Sequence, residues 1–270
     1  MNKTFIIGTA NLSSTLQKRI VNSKIYSAKK FLKNIDSINK RKKNIIINSF
    51  YSSTKLKTIT SYEIFVKKTL SEIAKILDLL NCNNVDKIIY TSSASVYGLN
   101  DKITNLEDEN NRYIYSAFKL SAELLIKNFC KKKKINFIIC RVFNIYGGKD
   151  KFSLIHKLKK IANNNKKIII YNSGKSIRDF IYIDNVVTIY SLILKKKITS
   201  GLYDVGTGKG IKIIDLIREL NLKKVNLVYK KLPTSEISTS VANNKNLFRQ
   251  IKKIKFNKIK IFLNSRKING

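Results

Sequence analysis

The stretch "DKIIYTSS" (residues 86–93), followed by "YIYSAFKLSAELL" (113–125), decides the class of the fold. The first is a short β-branched run, apolar through its middle and of the length of one buried strand. The second carries Phe118, Ala122 and Leu125, and beyond it Phe129, at spacings of 4, 3 and 4. That is the core-facing stripe of an amphipathic helix. Tyr115 and Lys119 stand one turn apart on the flank of the stripe, which predicts a phenol and an ammonium together at the edge of a buried surface.

The alternation continues in both directions. Upstream, "TFIIG" (4–8) predicts a strand, "NLSSTLQKRIV" (11–21) a short helix, "KIYSA" (24–28) a weak strand and "NIIINSF" (44–50) a strong one. "YEIFVKKTLSEIAKILDLL" (62–80) is amphipathic, with Ile64, Leu70, Ile73, Ile76, Leu77 and Leu80 near one face. Downstream, "NFIICRVFN" (136–144) is again a strand. Near-continuous apolar strands separated by helices indicate an α/β chain whose parallel sheet is covered on both faces. Past Gly147 the pattern loosens through "KIIIYNSG" (167–174), "FIYIDNVV" (180–187) and "GLYDVGTG" (201–208), with a helix near 211–220. Ligands of such sheets sit outside the carboxyl ends of the strands. Here those ends carry Gly8, "TSSASVYG" (91–98) and "RVFNIYGG" (141–148), where the unusual polar clusters fall.

The formal charge of +37 suggests a nucleic-acid binder at first sight. The 54 basic residues are 46 Lys and only 8 Arg, in a chain also crowded with Asn and Ile. Those three residues share A/T-rich codons, and a dedicated phosphate or base reader favours the planar Arg fork. "KKKK" (131–134) and "KKK" (195–197) follow helical segments, where cations suit a helix C-terminus. Nucleic acid is therefore not expected as a partner. Three cysteines without metal-like spacing read as reduced thiols, and no metal site is expected. With no signal-peptide pattern and no apolar run longer than "VVTIYSLIL" (186–194), a soluble cytoplasmic protein is expected, with no membrane partner.

Ser92 and Ser93 close a strand, and Tyr115 and Lys119 open the next helix, so hydroxyl, phenol and amine can converge at one rim. Such a trio suits proton transfer to or from an alcohol or ketone oxygen. A free Tyr, with a pKa of about 10, is a poor base at neutral pH. A cation one turn away is expected to favour the phenolate. Proton transfer of this kind needs a hydride partner, which points to a nicotinamide. A Tyr-x-x-x-Lys pair alone is common by chance, and usually decorates a surface.

The pair is accompanied by "KIIYTSSASVYG" (87–98), "YIYSAFKLSAELLI" (113–126), "RVFNIYGG" (141–148), "SIRDFIYIDNVV" (176–187) and "GLYDVGTGKG" (201–210). In these blocks and their order the chain resembles the extended short-chain dehydrogenase/reductase superfamily, in its NAD-dependent nucleotide-sugar epimerase/dehydratase group. The resemblance covers about residues 40–245. It implies a Rossmann-like, doubly wound α/β domain over 1–147, with 179–198 packing back onto it. It also implies a smaller C-terminal α+β substrate-binding lobe over 148–270. Catalytic roles are implied for Ser93, Tyr115 and Lys119, with Ser93 also on the substrate. Substrate contacts are implied for Asn144, which approaches the sugar, and Arg178, whose guanidinium fork suits a diphosphate. An ion pair of Arg178 with Asp179 or Asp184 is the plainer alternative. Cofactor contacts are implied at Gly8, Asn11, Leu12, Asp36, Ser49, Ser92, Tyr115 and Lys119, with NAD or NADP as cofactor. A homodimer is a family expectation.

The departures from the family pattern are informative. Dehydratases of the group carry Asp-Glu after the hydroxyl residue, whereas this chain has Ala94 and Ser95, so 4,6-dehydration is not expected. Oxidation, reduction or epimerisation at a carbinol carbon remains, and an epimerase or ketoreductase in the supply of surface-polysaccharide precursors is expected. The family's G-x-x-G-x-x-G becomes "GTANLSS" (8–14), with Asn11 and Ser14 for the second and third glycines. Those glycines let the backbone approach a pyrophosphate, so cofactor binding is expected to be weakened or reshaped. The region from Gly8 to Asn44 has room for one strand where the family has two. After "KIYSA" come Lys29 and Lys30 rather than an acid, a lean toward a 2′-phosphate. The competing reading is a non-catalytic relative that binds a nucleotide sugar, a protein or RNA.

Overall fold

The computed structural model describes residues 2–48, 62–99, 111–164, 167–219, 227–231 and 237–264. In chain order it begins with β1 (Lys3–Ile7), α1 (Asn11–Arg19), β2 (Ser23–Tyr26), α2 (Ala28–Lys33), α3 (Ile35–Asn39) and β3 (Lys43–Ile47). Next come α4 (Tyr62–Val66), α5 (Glu72–Leu79), β4 (Val85–Ser93), α6 (Asn111–Lys132), β5 (Asn136–Val142) and β6 (Asn144–Tyr146). Then follow α7 (Leu154–Asn164), β7 (Ile168–Tyr171), β8 (Ile177–Tyr182), α8 (Ile183–Lys195), β9 (Gly201–Val205) and β10 (Gly210–Lys212). The chain closes with α9 (Ile213–Arg218), β11 (Leu227–Lys230), β12 (Thr239–Ser240), α10 (Lys245–Gln250) and α11 (Ile259–Asn264).

Six strands form one parallel sheet in the order β2-β1-β3-β4-β5-β9. Alternate residues of β1, β3, β4 and β5 enter opposite cores, the period of two expected of a strand buried on both faces. Phe5, Ile45, Ile47, Ile88 and Ile139 pack with Phe31 of α2, Ile73 and Ile76 of α5, and Ala122 and Ile126 of α6. Ile6, Ile46, Ile89 and Ile138 face Leu12 and Leu16 of α1 and Val186, Ile189 and Ile193 of α8. This is a Rossmann-like doubly wound sheet. The chain leaves β1 for β2 on one side and then crosses to β3 on the other, so the strand order reverses between β1 and β3. A crevice opens at that point. Along the chain, one strand, β2, lies between β1 and β3, preceded by α1 and followed by the two short helices α2 and α3.

The C-terminal part builds smaller sheets. β8 pairs parallel with β6 and β12 and antiparallel with β10, while β7 pairs parallel with β11. Their core holds Tyr146, Ile155, Leu158, Ile168, Phe180 and Leu216. Among the described residues no helix is long and apolar enough to cross a membrane.

Two local expectations need correction. The helix read over 62–80 is interrupted by a π turn at Lys67–Ser71, where the Thr69 hydroxyl donates back to the Phe65 carbonyl at 2.7 Å. The buried face of α6 is also rotated from the expected stripe. Ser116, Lys119, Ala122, Glu123, Ile126 and Cys130 are buried, whereas Phe118, Leu125 and Phe129 are only partly so. Lys119 therefore lies within the buried face rather than on its flank. The rotation is possible because the carboxyl ends of β4 and β5 offer polar partners to Lys119 and Glu123, which a purely apolar sheet face would not.

Candidate active site

A cavity of about 390 Å³ opens at the carboxyl edge of the sheet. Its walls come from the loop after β1 and the start of α1 (Ala10, Asn11, Leu12), from Asn48 after β3, and from Thr91, Ser92 and Ser93 at the end of β4. Tyr115 and Lys119 of α6 enter from one side, and Ile145, Asp150 and Ile183 close the other. Gly8 turns the chain from β1 into α1 at φ 117°, a conformation open to glycine, and its N–H donates to the Tyr26 carbonyl at 2.7 Å.

The three expected catalytic groups meet here. The Ser93 hydroxyl is hydrogen-bonded to the Tyr115 phenol, and it also accepts the Ser95 N–H at 3.2 Å. The Lys119 amine donates to the Thr91 carbonyl at 2.8 Å. It lies over the ring of Tyr90 at 4.9 Å and over that of Tyr115 at 5.9 Å, within reach of cation–π attraction. Burial pushes the Tyr115 phenol up to about 12, and the Ser93 hydrogen bond pulls only weakly against it. Burial likewise brings Lys119 down to about 7, with Glu123 acting the other way. The expected electrostatics are thus corrected. The lysine lies near the phenol ring, but burial governs the phenol, and in this state Tyr115 keeps its proton at neutral pH.

The remaining expected residues are dispersed. Leu12 and Asn11 line the cavity. Ser92 does too, but its hydroxyl donates to Glu123 rather than into the space. Asp36 is exposed on α3 and forms no part of the wall, and Ser49 lies outside the described residues. Asn144 and Arg178 sit on β6 and β8, off the cavity lining. The Asn144 amide donates to the Asp179 carbonyl at 2.8 Å, and Arg178 donates to the Ile177 carbonyl at 2.9 Å. The carboxylate of Asp179 is taken by Thr207, Gly208 and Ala242, and that of Asp184 lies 3.3 Å from Arg19.

Sequence reasoning missed Asn48, Asp150 and Glu123. Asn48 had a signal, as the polar residue ending the apolar strand "NIII"; its amide donates to Ser13 at 2.6 Å. Asp150 had none. Its Oδ1 accepts the Phe152 and Ser153 N–H groups, while Oδ2 is buried without a hydrogen-bond partner among the described residues.

These residues suit a dinucleotide. The first turn of α1 carries no acidic side chain, so its N–H groups present an uncompensated positive end at the switch point. The buried Asp150 oxygen asks for a donor, and the Lys119 amine can serve ribose hydroxyls. Asn11 is the first residue of α1. Its amide turns aside to donate to the Gly147 carbonyl at 3.1 Å and to accept the Lys149 N–H at 2.9 Å.

A doubly wound sheet with Ser, Tyr and Lys gathered at its switch point defines a member of the extended short-chain dehydrogenase/reductase class. The chain belongs to the NAD dependent epimerase/dehydratase family, whose model matches residues 9–206. It is 33% identical over 160 residues to a dTDP-D-glucose 4,6-dehydratase of Dictyostelium discoideum, a match covering 53% of this chain and 36% of that protein. It is 27% identical over 210 residues to Protein CapI of Staphylococcus aureus, covering 67% of this chain and 63% of that one. The matched stretches thus span less than two thirds of either relative. Among solved structures, a UDP-N-acetylglucosamine 4-epimerase from Methanobrevibacter ruminantium in complex with UDP-N-acetylmuramic acid superposes with a TM-score of 0.77 at 21% identity, covering 97% and 96% of the two chains. A UDP-glucuronic acid 4-epimerase from Bacillus cereus, in complex with UDP-glucuronic acid and NAD, gives 0.78 at 17% identity, covering 97% of this chain and 96% of that one. Both show the likeness of fold.

Proposed function

We propose that this chain is an NAD(P)-dependent nucleotide-sugar epimerase or ketoreductase that works at a sugar carbinol carbon, in the supply of surface-polysaccharide precursors. The observation that carries the reading is the meeting of Ser93, Tyr115 and Lys119 in one cavity at the switch point. A bound nicotinamide supplies the acceptor and donor of hydride. Ser93 hydrogen-bonds the reacting sugar oxygen and holds it beside the phenol. Tyr115 gives its proton to that oxygen when a ketone is reduced, and takes it back when the carbinol is oxidised. The protonated resting phenol suits the reductive direction first. Lys119 holds the cofactor side of the cavity by its amine, and Asn11, Leu12 and the first turn of α1 face the diphosphate.

Elimination of water is disfavoured by the same wall. Ala94 and Ser95 follow Ser93, and Asp150 is the carboxylate residue among the described lining. The acid and base that removal of a sugar hydroxyl requires do not follow Ser93, where the dehydratase pattern of the group has Asp-Glu. The elements after Gly147, apart from α8, β9 and α10 that pack with the main sheet, are read as the substrate lobe, with Asn144 and Arg178 reaching the nucleotide sugar once it is bound.

Mass spectrometry of small molecules retained by natively purified protein tests the class, with a nicotinamide dinucleotide and a nucleotide sugar expected. Tyr115→Phe should abolish turnover and leave dinucleotide binding in place. Retained polyribonucleotide with a steep salt dependence, unaffected by that substitution, would instead favour the non-catalytic alternative.

A further inference from the structure

Behind the proton-transfer groups lies a second buried polar cluster that the reaction outlined above does not use. Glu123 is 2% exposed and sits one turn beyond Lys119 on the same face of α6. Its carboxylate accepts the Ser92 hydroxyl, and it accepts the Arg141 guanidinium through Nε at 3.1 Å and Nη2 at 2.7 Å. Ser92 precedes Ser93 on β4, and Arg141 lies opposite Ser92 on β5. Arg141 is itself stacked 4.6 Å from the centre of the Tyr97 ring, whose hydroxyl donates to Asp204 at 2.6 Å. One carboxylate thus ties α6 to the two strands whose ends carry the hydroxyl and the cavity wall.

We propose that Glu123 is a positioning residue of the proton-transfer site: it fixes α6 on β4 and β5 through Ser92 and Arg141, and it governs the charge of Lys119. The proposal rests on the reading of Tyr115 and Lys119 given above. A buried ion pair of this kind stabilises little in itself, because desolvation offsets the attraction. A pair of apolar residues would hold the helix equally well. What apolar residues would not supply is a negative charge one turn from the lysine. Among the described residues, the groups about Lys119 include Tyr115 and Glu123 on α6, the Tyr90 ring and Thr91 carbonyl on β4, and Arg141 on β5 through Glu123, while Asp150 lines the same cavity. Burial works toward a neutral amine, and Glu123 works toward an ammonium. Arg141 sets how much of the Glu123 charge Lys119 receives.

The test is the titration of Lys119 in the full chain, followed by NMR of lysine labelled with ¹³C at Cε and assigned with Lys119→Ala. Glu123→Gln should lower the Lys119 midpoint by about one pH unit or more, as removal of a near opposite charge does. Arg141→Gln should raise it, since the carboxylate then loses its competing cation. Glu123→Asp, which keeps the charge, should restore most of the wild-type midpoint. Opposite shifts support the proposal. No shift, or shifts of the same sign in both variants, overturn it and leave a merely structural pair. If Glu123→Gln does not fold, the Arg141→Gln and Glu123→Asp arms decide by the same signs. The readout needs no turnover. A protein that titrates as stated but binds no nicotinamide dinucleotide would refute the enzyme reading alone.

Discussion

Asn11 and Gly148 are fitted to one another. A Cβ on Gly148 would stand 2.8 Å from the Asn11 amide oxygen, and that oxygen accepts the N–H of Lys149, the next residue. Gly148 itself is at φ +63°, in the left-handed region. The side chain that departs from the family's glycine loop is therefore accommodated by a glycine more than a hundred residues away. Asn11 clasps the 147–149 turn to the mouth of the crevice at the switch point.

Gly148→Ala should destabilise the fold by about 1–2 kcal/mol from the left-handed backbone alone, and by more from the displaced amide. Asn11→Ala removes two hydrogen bonds, each contributing roughly 0.5–1.5 kcal/mol. In the double variant Asn11 no longer obstructs the new methyl group. Denaturant unfolding should show the pair costing less than the sum, by about 0.5 kcal/mol or more. Strict additivity would mean that the two residues do not meet as described.

The low Lys119 value has a sign that unfolding can read. The folded amine releases its proton near pH 7, whereas the unfolded one holds it to its ordinary 10.5. Between those limits the unfolded chain binds the extra proton, so this group makes stability rise with pH from 7 to 10.5. Tyr115 acts oppositely. Its folded value of about 12 lies above the ordinary 10, so stability falls as pH climbs from 10 to 12. Lys119→Met should flatten the rise between pH 7 and 10 relative to wild type, and an unchanged slope would contradict the burial of the amine.

Asp179, fully buried on β8, accepts the N–H groups of Thr207 at 3.0 Å, Gly208 at 2.9 Å and Ala242 at 3.3 Å, besides the Thr207 hydroxyl at 2.6 Å. Asp179→Asn turns one acceptor into a donor facing those donors. A loss of about 2 kcal/mol is expected, read as a lower Tm. If the adjacent Arg178 serves the substrate diphosphate, KM for a nucleotide sugar should rise more than kcat falls.

At the end of β2, Ser27 caps α2 by accepting the Lys30 N–H at 3.2 Å, and Lys29 and Lys30 follow where an acid would select ribose hydroxyls. Replacing both lysines by Ala should lower affinity for NADP by about tenfold, since an exposed pairing of lysine with phosphate is worth about 1 kcal/mol. Affinity for NAD should change little. An equal weakening for both dinucleotides would show that the lysines do not read a 2′-phosphate.

The alternation of strands and helices was legible because burial on both faces of a sheet leaves nearly continuous apolar runs, as in "NIII" and "KIIY". The Ser93, Tyr115 and Lys119 trio was legible through ordered motif blocks, and the single strand between β1 and β3 through the shortness of the segment. The rotation of α6 was not. Periodicity ranks faces by hydropathy, so it chose the stripe with Phe118 and Phe129, and it could not count the hydrogen-bond partners waiting for Lys119 and Glu123. The protonation of the site was equally hidden, because a pKa depends on water excluded by segments distant in the chain. The amino-acid order by itself determined the sheet, its switch point and which side chains are gathered there. Only the tertiary structure decided how Asn11 is accommodated, which face of α6 is buried and in which direction burial moves Tyr115 and Lys119, because each depends on contacts between residues far apart in sequence.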